Sequence, residues 1–123
     1  MTLQTDPDDT ATSGDELVRA LTALSNPHRL RILAVLVRGR IHVSQLAREV
    51  GLSRPLVHMH LQRLEAAGLV TGHLELSEEG RAMKFFEVRP FALSLTPEAI
   101  AEAARTLTIR DGDESSRTSK EDT

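Results

Sequence analysis

The side chains with the clearest chemistry recur at four-residue intervals in the middle of the chain. Arg54, His58 and Gln62 form one such series, and Met59 and Arg63 form another. On a helix, this interval keeps each series on one face. Arg can pair with guanine O6 and N7, Gln with adenine, and Met can contact a thymine methyl group. The pattern predicts a helix that reads base edges in a major groove, with a solvated helix face as the alternative.

The opposite face of this segment is apolar and would hold the helix against a core. Its apolar side chains are spaced at i, i+4 and i+7: Val57, Leu61 and Leu64. Gly51 supplies a residue that tolerates positive φ, Ser53 can cap a helix, and Pro55 suits a first turn. These residues predict two helices joined by a tight turn, with the second over residues 53–67. His60 lies beside the apolar stripe, so we expect it to be partly buried and hydrogen-bonded.

The flanking elements follow from apolar spacing and from cap and turn residues. They are a helix from residue 14 or 15 to a break at 25–27, a helix over 27–37, an extended piece at 41–43, a helix over 45–50, strands at 69–76 and 81–88, and a helix over 97–107. The predicted order is therefore helix, helix, short strand, helix, helix, hairpin and helix. This is a mainly α fold with a small β-hairpin.

Two of these helices carry predictions about single residues. The second helix is expected to turn four apolar side chains toward the core: Leu30, Leu33, Ala34 and Val37. Ser44 is expected to cap the third helix and Thr96 the last one, because a hydroxyl oxygen can accept from a free N–H group at a helix start.

Charge is distributed unevenly along the chain. Residues 25–90 hold ten basic and six acidic side chains, a balance of +4, and they include all five histidines. The flanks hold five basic and twelve acidic side chains, a balance of −7, which gives the overall −3. A basic middle between acidic flanks favours a nucleic-acid partner for the middle alone, although charge also fluctuates by chance along a chain.

Composition excludes several classes of function. The chain has no Cys, so it forms neither disulfides nor thiolate metal sites. It has no Trp or Tyr, which argues against binding single strands by base stacking. It has neither an apolar run long enough for a membrane span nor a signal-peptide pattern at its start, so we expect a cytoplasmic protein. It also lacks nucleophile-elbow, P-loop, HExxH and GxGxxG motifs, so we expect no enzymatic activity.

The length of 123 residues suits one small domain. Residues 1–14 and 108–123 are rich in Asp, Thr, Ser and Gly and poor in apolar side chains, so we predict two disordered tails. The folded domain is then expected over residues 15–107.

Three segments, which together cover roughly residues 23–90, resemble winged helix-turn-helix regulators of the ArsR/SmtB family. ALSNPHRLRILAVL resembles the family's second helix, VSQLAREVGLSRPLVHMHLQRLEAAGLV its helix-turn-helix, and VTGHLELSEEGRAMKFFEV its hairpin wing. The resemblance implies a homodimer, built from the first and last helices, that binds an imperfect palindrome in double-stranded DNA.

The first and last helices each carry an apolar stripe that could form this dimer interface: Leu17, Leu21, Leu24, Ile100, Ala103, Ala104 and Leu107. A domain of this size is marginally stable alone, and two-fold pairing would bury both stripes. Pairing would also place two recognition helices about 34 Å apart, one turn of DNA. The alternative is that the two helices only complete the core of a monomer.

The predicted DNA contacts lie on the recognition helix and the wing: Ser53, Arg54, Pro55, His58, Met59, Gln62, Arg63, Arg81 and Lys84. Arg29, Arg31, Arg48 and Arg63 are predicted to hold phosphates. Glu78 and Glu79 at the wing tip argue against deep insertion, because carboxylates repel phosphate. Repression by occluding a promoter is the favoured outcome, and activation stays open.

The resemblance also raises the possibility of a divalent metal effector. Many members of the family sense metals through cysteines on the third helix, or through Asp and His on the last helix, and this chain has neither set. His42 and His73, with Glu75, could form a zinc or nickel site if the short strand pairs with the wing; scattered surface histidines are the alternative. Two other functions therefore stay open: a protein-interaction winged-helix module, and a metal-responsive regulator with an unfamiliar site.

Overall fold

The computed structural model describes residues 12–108. Within them it has five helices and three strands: α1 (Gly14–Leu24), α2 (Pro27–Leu36), β1 (Ile41–His42), α3 (Val43–Val50), α4 (Arg54–Ala66), β2 (Val70–Leu76), β3 (Ala82–Val88) and α5 (Pro97–Ala104). The order is the predicted one. No helix in this part of the chain is long and apolar enough to cross a membrane.

The three strands form one antiparallel sheet in the order β1-β3-β2. The hairpin pairs Val70 with Val88 at its base and Leu76 with Ala82 near its tip. The hydroxyl oxygen of Ser77 accepts hydrogen bonds from the N–H groups of Glu79 and Arg81, which closes the turn. The hairpin is therefore a wing that projects from the helices, and β1 fixes its base.

The core lies between the helices and the base of the wing. Its fully buried large side chains come from α2, α3, α4 and the start of β2: Ile32, Leu36, Leu46, Val57, Leu61, Leu64, Leu69 and Val70. The predicted apolar face of α4 is among them, so the inward side of this helix was correctly predicted. Its burial holds α4 against the core and leaves the opposite face outside.

Of the four side chains predicted to face inward from α2, only Leu33 is buried, and Ala34 is exposed. Ile32, Leu33 and Leu36 are buried, whereas Leu30 is 52% and Val37 70% exposed. The helix has apolar side chains on nearly every side, so several i, i+3, i+4 series fit its sequence equally well. Contacts with α1, α3 and α4 select the face, and these contacts are not visible in local spacing.

The start of α3 also differs from the prediction. The helix begins at Val43, and its cap is His42 rather than Ser44. The Nδ1 atom of His42 accepts a hydrogen bond from the N–H group of Ser44 at 3.1 Å. An imidazole nitrogen thus takes the place of the expected hydroxyl oxygen. Ser53 and Thr96 cap α4 and α5 as predicted.

α1 and α5 pack closely against each other within one chain. A Cβ atom on Gly14 would lie 2.3 Å from the carbonyl oxygen of Ala103 and 2.8 Å from the side chain of Leu107. The N–H group of Gly14 donates to the hydroxyl oxygen of Thr106 at 2.7 Å. Only glycine permits this approach, so Gly14 fixes the position of α5 on α1.

Residues just outside the predicted domain bounds of 15–107 also make defined contacts. Ser13 and Glu16 form a reciprocal capping box at the start of α1. Thr108 donates from its hydroxyl group and its N–H group to the carboxylate of Asp15, at 2.6 and 3.1 Å. These two bonds, the hydroxyl bond first, lower the pKa of Asp15. The rest of the predicted disordered tails, residues 1–11 and 109–123, lies outside the described residues.

Candidate nucleic-acid interface

A helix-turn-helix is formed by α3 and α4. Gly51 ends α3 with φ 72° and ψ 32°, a left-handed conformation that suits glycine. The hydroxyl oxygen of Ser53 then accepts from the N–H group of Leu56 at 3.3 Å and caps α4, with Pro55 in its first turn. The sequence-predicted turn, cap and proline thus set the direction in which α4 leaves α3.

The outward face of α4 carries all the side chains that the sequence assigned to it. The structure leaves the helix residues and their cap exposed: Ser53, Arg54, Pro55, His58, Met59, Gln62 and Arg63. Leu56 is exposed as well, and the sequence analysis did not include it among the DNA contacts. On the helix it shares a side with Met59 and Arg63, three and seven residues farther along, and an apolar group suits a thymine methyl.

A shallow depression lies where α3 meets the start of α4. It is lined by Ser44, Ala47, Arg48, Gly51, Leu52 and Arg54. Arg48 and Arg54 are exposed, and neither makes an ion pair within residues 12–108. Two unpaired guanidinium groups next to a helix start suit a phosphate.

The predicted phosphate-binding arginines divide into two groups. Arg31, Arg48 and Arg63 are exposed. Arg29 is buried, so its predicted role in holding phosphate is wrong. Its Nε atom donates to Nδ1 of His60 at 3.2 Å, which makes it part of the interior beneath α4.

His60 is buried and hydrogen-bonded, as the sequence predicted, and more deeply than expected. Its ring also packs against the ring of His28, with the centroids 5.6 Å apart. The pKa of His60 is lowered, first by burial and then by the positive charge of Arg29. A neutral imidazole therefore lies directly beneath the outward face of α4.

The two predicted wing contacts have different surroundings. Arg81 is exposed near the wing tip and makes no ion pair within the described residues. The ammonium group of Lys84 instead lies 5.5 Å from the ring centroid of Phe86, toward the base of the wing. Gly72 opens this path, because a Cβ atom there would lie 2.6 Å from the Phe86 ring. Arg81 is thus the better placed of the two for a phosphate.

The structure does not bring His42 and His73 together. β1 does pair with the wing, but β3 lies between β1 and β2, so both histidines flank Phe85. Glu75, the proposed third ligand, is bonded by Arg40 at 2.6 Å. No group of three or more His, Cys, Asp or Glu within residues 12–108 is arranged to hold a metal ion. The described residues therefore do not fit the predicted zinc or nickel site.

Some of the predicted dimer-interface residues are buried by contacts within the same chain. Leu17 and Ala103 are buried in the contact between α1 and α5, and Leu24 packs against the core. Four predicted residues stay exposed: Leu21, Ile100, Ala104 and Leu107. Val18 and Leu95, which were not among the predicted interface residues, are also exposed. One exposed apolar surface of the described residues thus lies on the outer sides of α1 and α5.

Comparison with known proteins gives consistent matches. The family described as bacterial regulatory protein, arsR family, matches residues 26–71. An uncharacterized HTH-type transcriptional regulator of Methanocaldococcus jannaschii is 39% identical over 85 residues, which cover 69% of this chain and 88% of that protein. The nodulation protein NolR of Rhizobium meliloti is 45% identical over 51 residues, 42% of either chain.

Solved structures agree with these matches. One is the solution NMR structure of a homodimeric winged helix-turn-helix DNA-binding domain from Mycobacterium bovis, a possible ArsR-family regulator. It aligns with a TM-score of 0.51 and 25% identity, over 74% of this chain and 70% of that one. The chain belongs to the ArsR family of bacterial regulatory proteins, and its fold is a winged helix-turn-helix.

Proposed function

We propose that this chain regulates transcription by binding a palindromic operator as a homodimer, with α4 in the major groove. One observation carries the proposal: α4 buries its apolar face completely and leaves its donor-rich face exposed. A helix that is fixed on one side and rich in donors on the other meets the two requirements for reading base edges.

The proposed base contacts lie on the exposed face of α4 between its first residue, Arg54, and Gln62. Arg54 would address guanine and Gln62 adenine, while Leu56 and Met59 would contact thymine methyl groups. His58, on the same face, supplies a further donor. Ser53 and Pro55 place the start of the helix and bring its free N–H groups toward the DNA backbone.

The proposed phosphate contacts surround this helix. Arg48 lies in the depression between α3 and α4, and Arg63 lies farther along α4. Arg31 on α2 and Arg81 on the wing are exposed on other elements. Lys84 is left out of this set because its ammonium group lies over Phe86. These contacts fix the orientation of α4 and carry no sequence information themselves.

The proposed dimer pairs the exposed apolar sides of α1 and α5. Two-fold symmetry puts the same patch on both subunits, so each exposed leucine or isoleucine has an apolar counterpart. The M. bovis domain with the same fold is homodimeric. Two copies of α4 would then lie about one DNA turn apart and read a palindrome. Since DNA is the partner, the proposed site of action is the cytoplasm.

Repression by occlusion of a promoter is the regulatory outcome that we propose. A bound dimer covers the DNA that polymerase must contact, and occlusion needs no second protein surface. The protein-interaction alternative has no supporting observation, because the exposed polar face of α4 suits DNA.

Selection from a random duplex library tests the proposal. The full chain should enrich a palindrome whose half-sites are about one helical turn apart, near 34 Å. A variant with Arg54→Ala and Gln62→Ala should lose the enriched sequence, while Leu74→Ala on the wing surface should retain it. If the wild-type chain enriches no sequence, the proposed function is wrong.

A further inference from the structure

Arg29 is a buried cation without a carboxylate partner. Its exposed fraction is 9%, whereas every other arginine in residues 12–108 is exposed. Across the same residues, it forms no ion pair with Asp or Glu. Burial of a charge is costly unless hydrogen bonds compensate for lost water, so the acceptors around Arg29 must be retained.

The acceptors of Arg29 come from two other helices. One Nη atom donates to the carbonyl oxygens of Ala23 at 3.2 Å and Thr22 at 3.4 Å, in the last turn of α1. These carbonyls lie at the negative end of the α1 dipole and lack partners within their own helix. The Nε atom donates to Nδ1 of His60 on α4. The guanidinium group therefore ties the end of α1 to the middle of α4.

This arrangement requires His60 to be neutral. Arg has donors and no acceptor, so Nδ1 of His60 must offer its lone pair, and the proton of the ring belongs on Nε2. A second proton would remove the acceptor and put an imidazolium beside a guanidinium in the interior. The two positive groups would repel each other, and the hydrogen bond from Arg29 to His60 would be lost. α4 would then lose this link to the rest of the interior.

We propose that the Arg29–His60 contact positions α4 for DNA, and that protonation of His60 releases it, so that acidification weakens operator binding. His60 is a positioning residue, because it lies beneath the outward face of α4 rather than on it. The proposal rests on the proposed DNA-binding function for its readout, while the contact itself can be measured without DNA.

The basic groups around His60 all lower its pKa. Burial lowers its pKa most, followed by Arg29 and His28 on α2 and Arg63 on α4. α1 contributes only the Thr22 and Ala23 carbonyl oxygens, which face Arg29. Because the folded pKa lies below the unfolded value of 6.5, neutral His60 stabilises the fold fully above pH 6.5. This stability is lost as the pH falls toward and below the folded pKa.

The test compares DNA affinity at pH 7.5 and pH 5.0, with the duplex that the wild-type chain selects. Wild-type affinity should fall about tenfold or more as the hydrogen bond from the charged Arg29 is lost, while circular dichroism shows unchanged helix content. Protonation of the exposed His58 would add positive charge at the DNA face and strengthen binding, so the direction of change separates the two histidines.

The variant His60→Asn is the decisive one. The Asn oxygen can accept from Arg29 in place of Nδ1 but does not titrate, so its affinity should be independent of pH over this range. The control His28→Asn removes the neighbouring ring and keeps the acceptor, so it should retain the wild-type decrease. A decrease of equal size in His60→Asn would overturn the proposal.

Two measurements on the free wild-type chain remain decisive if His60→Asn does not fold or no duplex is selected. NMR titration of the Cε1–H signal of His60 should give a pKa below 6.5. Urea unfolding should show stability falling as the pH drops below 6.5. A His60 pKa at or above 6.5 contradicts the proposal even if DNA binding is established. A failed selection with a low His60 pKa contradicts only the DNA-binding function.

Discussion

Leu64 lies in the contact between α4 and the rest of the core, with an exposed fraction of 0%. Truncation there leaves a cavity and removes buried apolar surface. We expect Leu64→Ala to lower the free energy of unfolding by about 3 kcal/mol. Leu76 on the wing is 74% exposed, so Leu76→Ala should change the free energy of unfolding by less than about 0.5 kcal/mol. Urea denaturation measures both, and equal losses would contradict the described core.

Gln62 provides a test of base recognition. If its amide pairs with adenine, Gln62→Ala should weaken binding to the selected duplex by about 1–3 kcal/mol, or about fivefold to 150-fold. Binding to a scrambled duplex should hardly change, because no base contact is made there. Fluorescence anisotropy with both duplexes measures the difference. Equal weakening of the two would show that Gln62 does not read sequence.

Arg48 is the control for Gln62, because Arg48 is proposed to contact phosphate and Gln62 a base. A phosphate contact acts on every sequence, so Arg48→Ala should weaken both duplexes alike. It should also reduce the slope of log K against log salt by about 0.9. An unchanged slope would remove Arg48 from the phosphate contacts.

Single residues differ in how far the sequence predicts their roles. The exposed donors of α4 were predictable because helical spacing alone separates its two faces. The burial of Arg29 was not, since arginine is rarely buried and its acceptors lie on α1 and α4. The cap at His42 was missed because hydroxyl and carboxamide side chains are the usual helix caps.

Gly14 tests the packing of α1 against α5. Its backbone is helical, so alanine would normally be favourable there, but a Cβ atom would lie 2.3 Å from the carbonyl oxygen of Ala103. We expect Gly14→Ala to separate the two helices and lower the free energy of unfolding by about 1 kcal/mol. A loss of this size lowers the melting temperature by several degrees. Arg19→Ala, on the exposed side of α1, is the control. An unchanged melting temperature in Gly14→Ala would contradict this packing.

The helices and strands were predictable where the spacing of apolar residues, or a cap or turn residue, favours one kind of structure over another. The hairpin follows from its turn residues, and α4 follows from an apolar stripe with donors opposite. α2 shows the limit: Leu30, Leu33, Ala34 and Val37 fit a helical stripe, yet of these the core takes only Leu33, together with Ile32 and Leu36. Packing partners distant in sequence select among such stripes. The metal-site prediction failed for a related reason, because only the strand order shows that β3 separates His42 from His73.

At the scale of the whole molecule, the exposed apolar sides of α1 and α5 predict a dimer. Ile100→Glu would place a charge in the proposed interface, so sedimentation should show a monomer and operator affinity should fall by more than about tenfold. Leu74→Glu puts the same charge on the exposed wing surface and should leave the dimer intact. A monomeric wild-type chain, or a dimeric Ile100→Glu variant, would exclude this interface.

The charge pattern and the three family-like segments correctly predicted a DNA-binding transcriptional regulator. Both signals come from the same positively charged segment that contains the helix-turn-helix. The dimer interface was harder to predict. Leu17 and Ala103 resemble Leu21 and Ile100 in sequence, but the first two are buried in the contact between α1 and α5 of the same chain. Spacing identifies an apolar helix face without showing which part of it the chain itself covers.

Sequence-specific DNA binding through α4 is the central claim, and one measurement tests it most directly. Fluorescence anisotropy would compare the selected duplex with a scrambled duplex over a salt series. We expect a preference of about 10³ or more for the selected duplex, with affinity for both falling steeply with salt. Absence of binding at low salt, or equal binding to both duplexes at every salt concentration, would contradict the account.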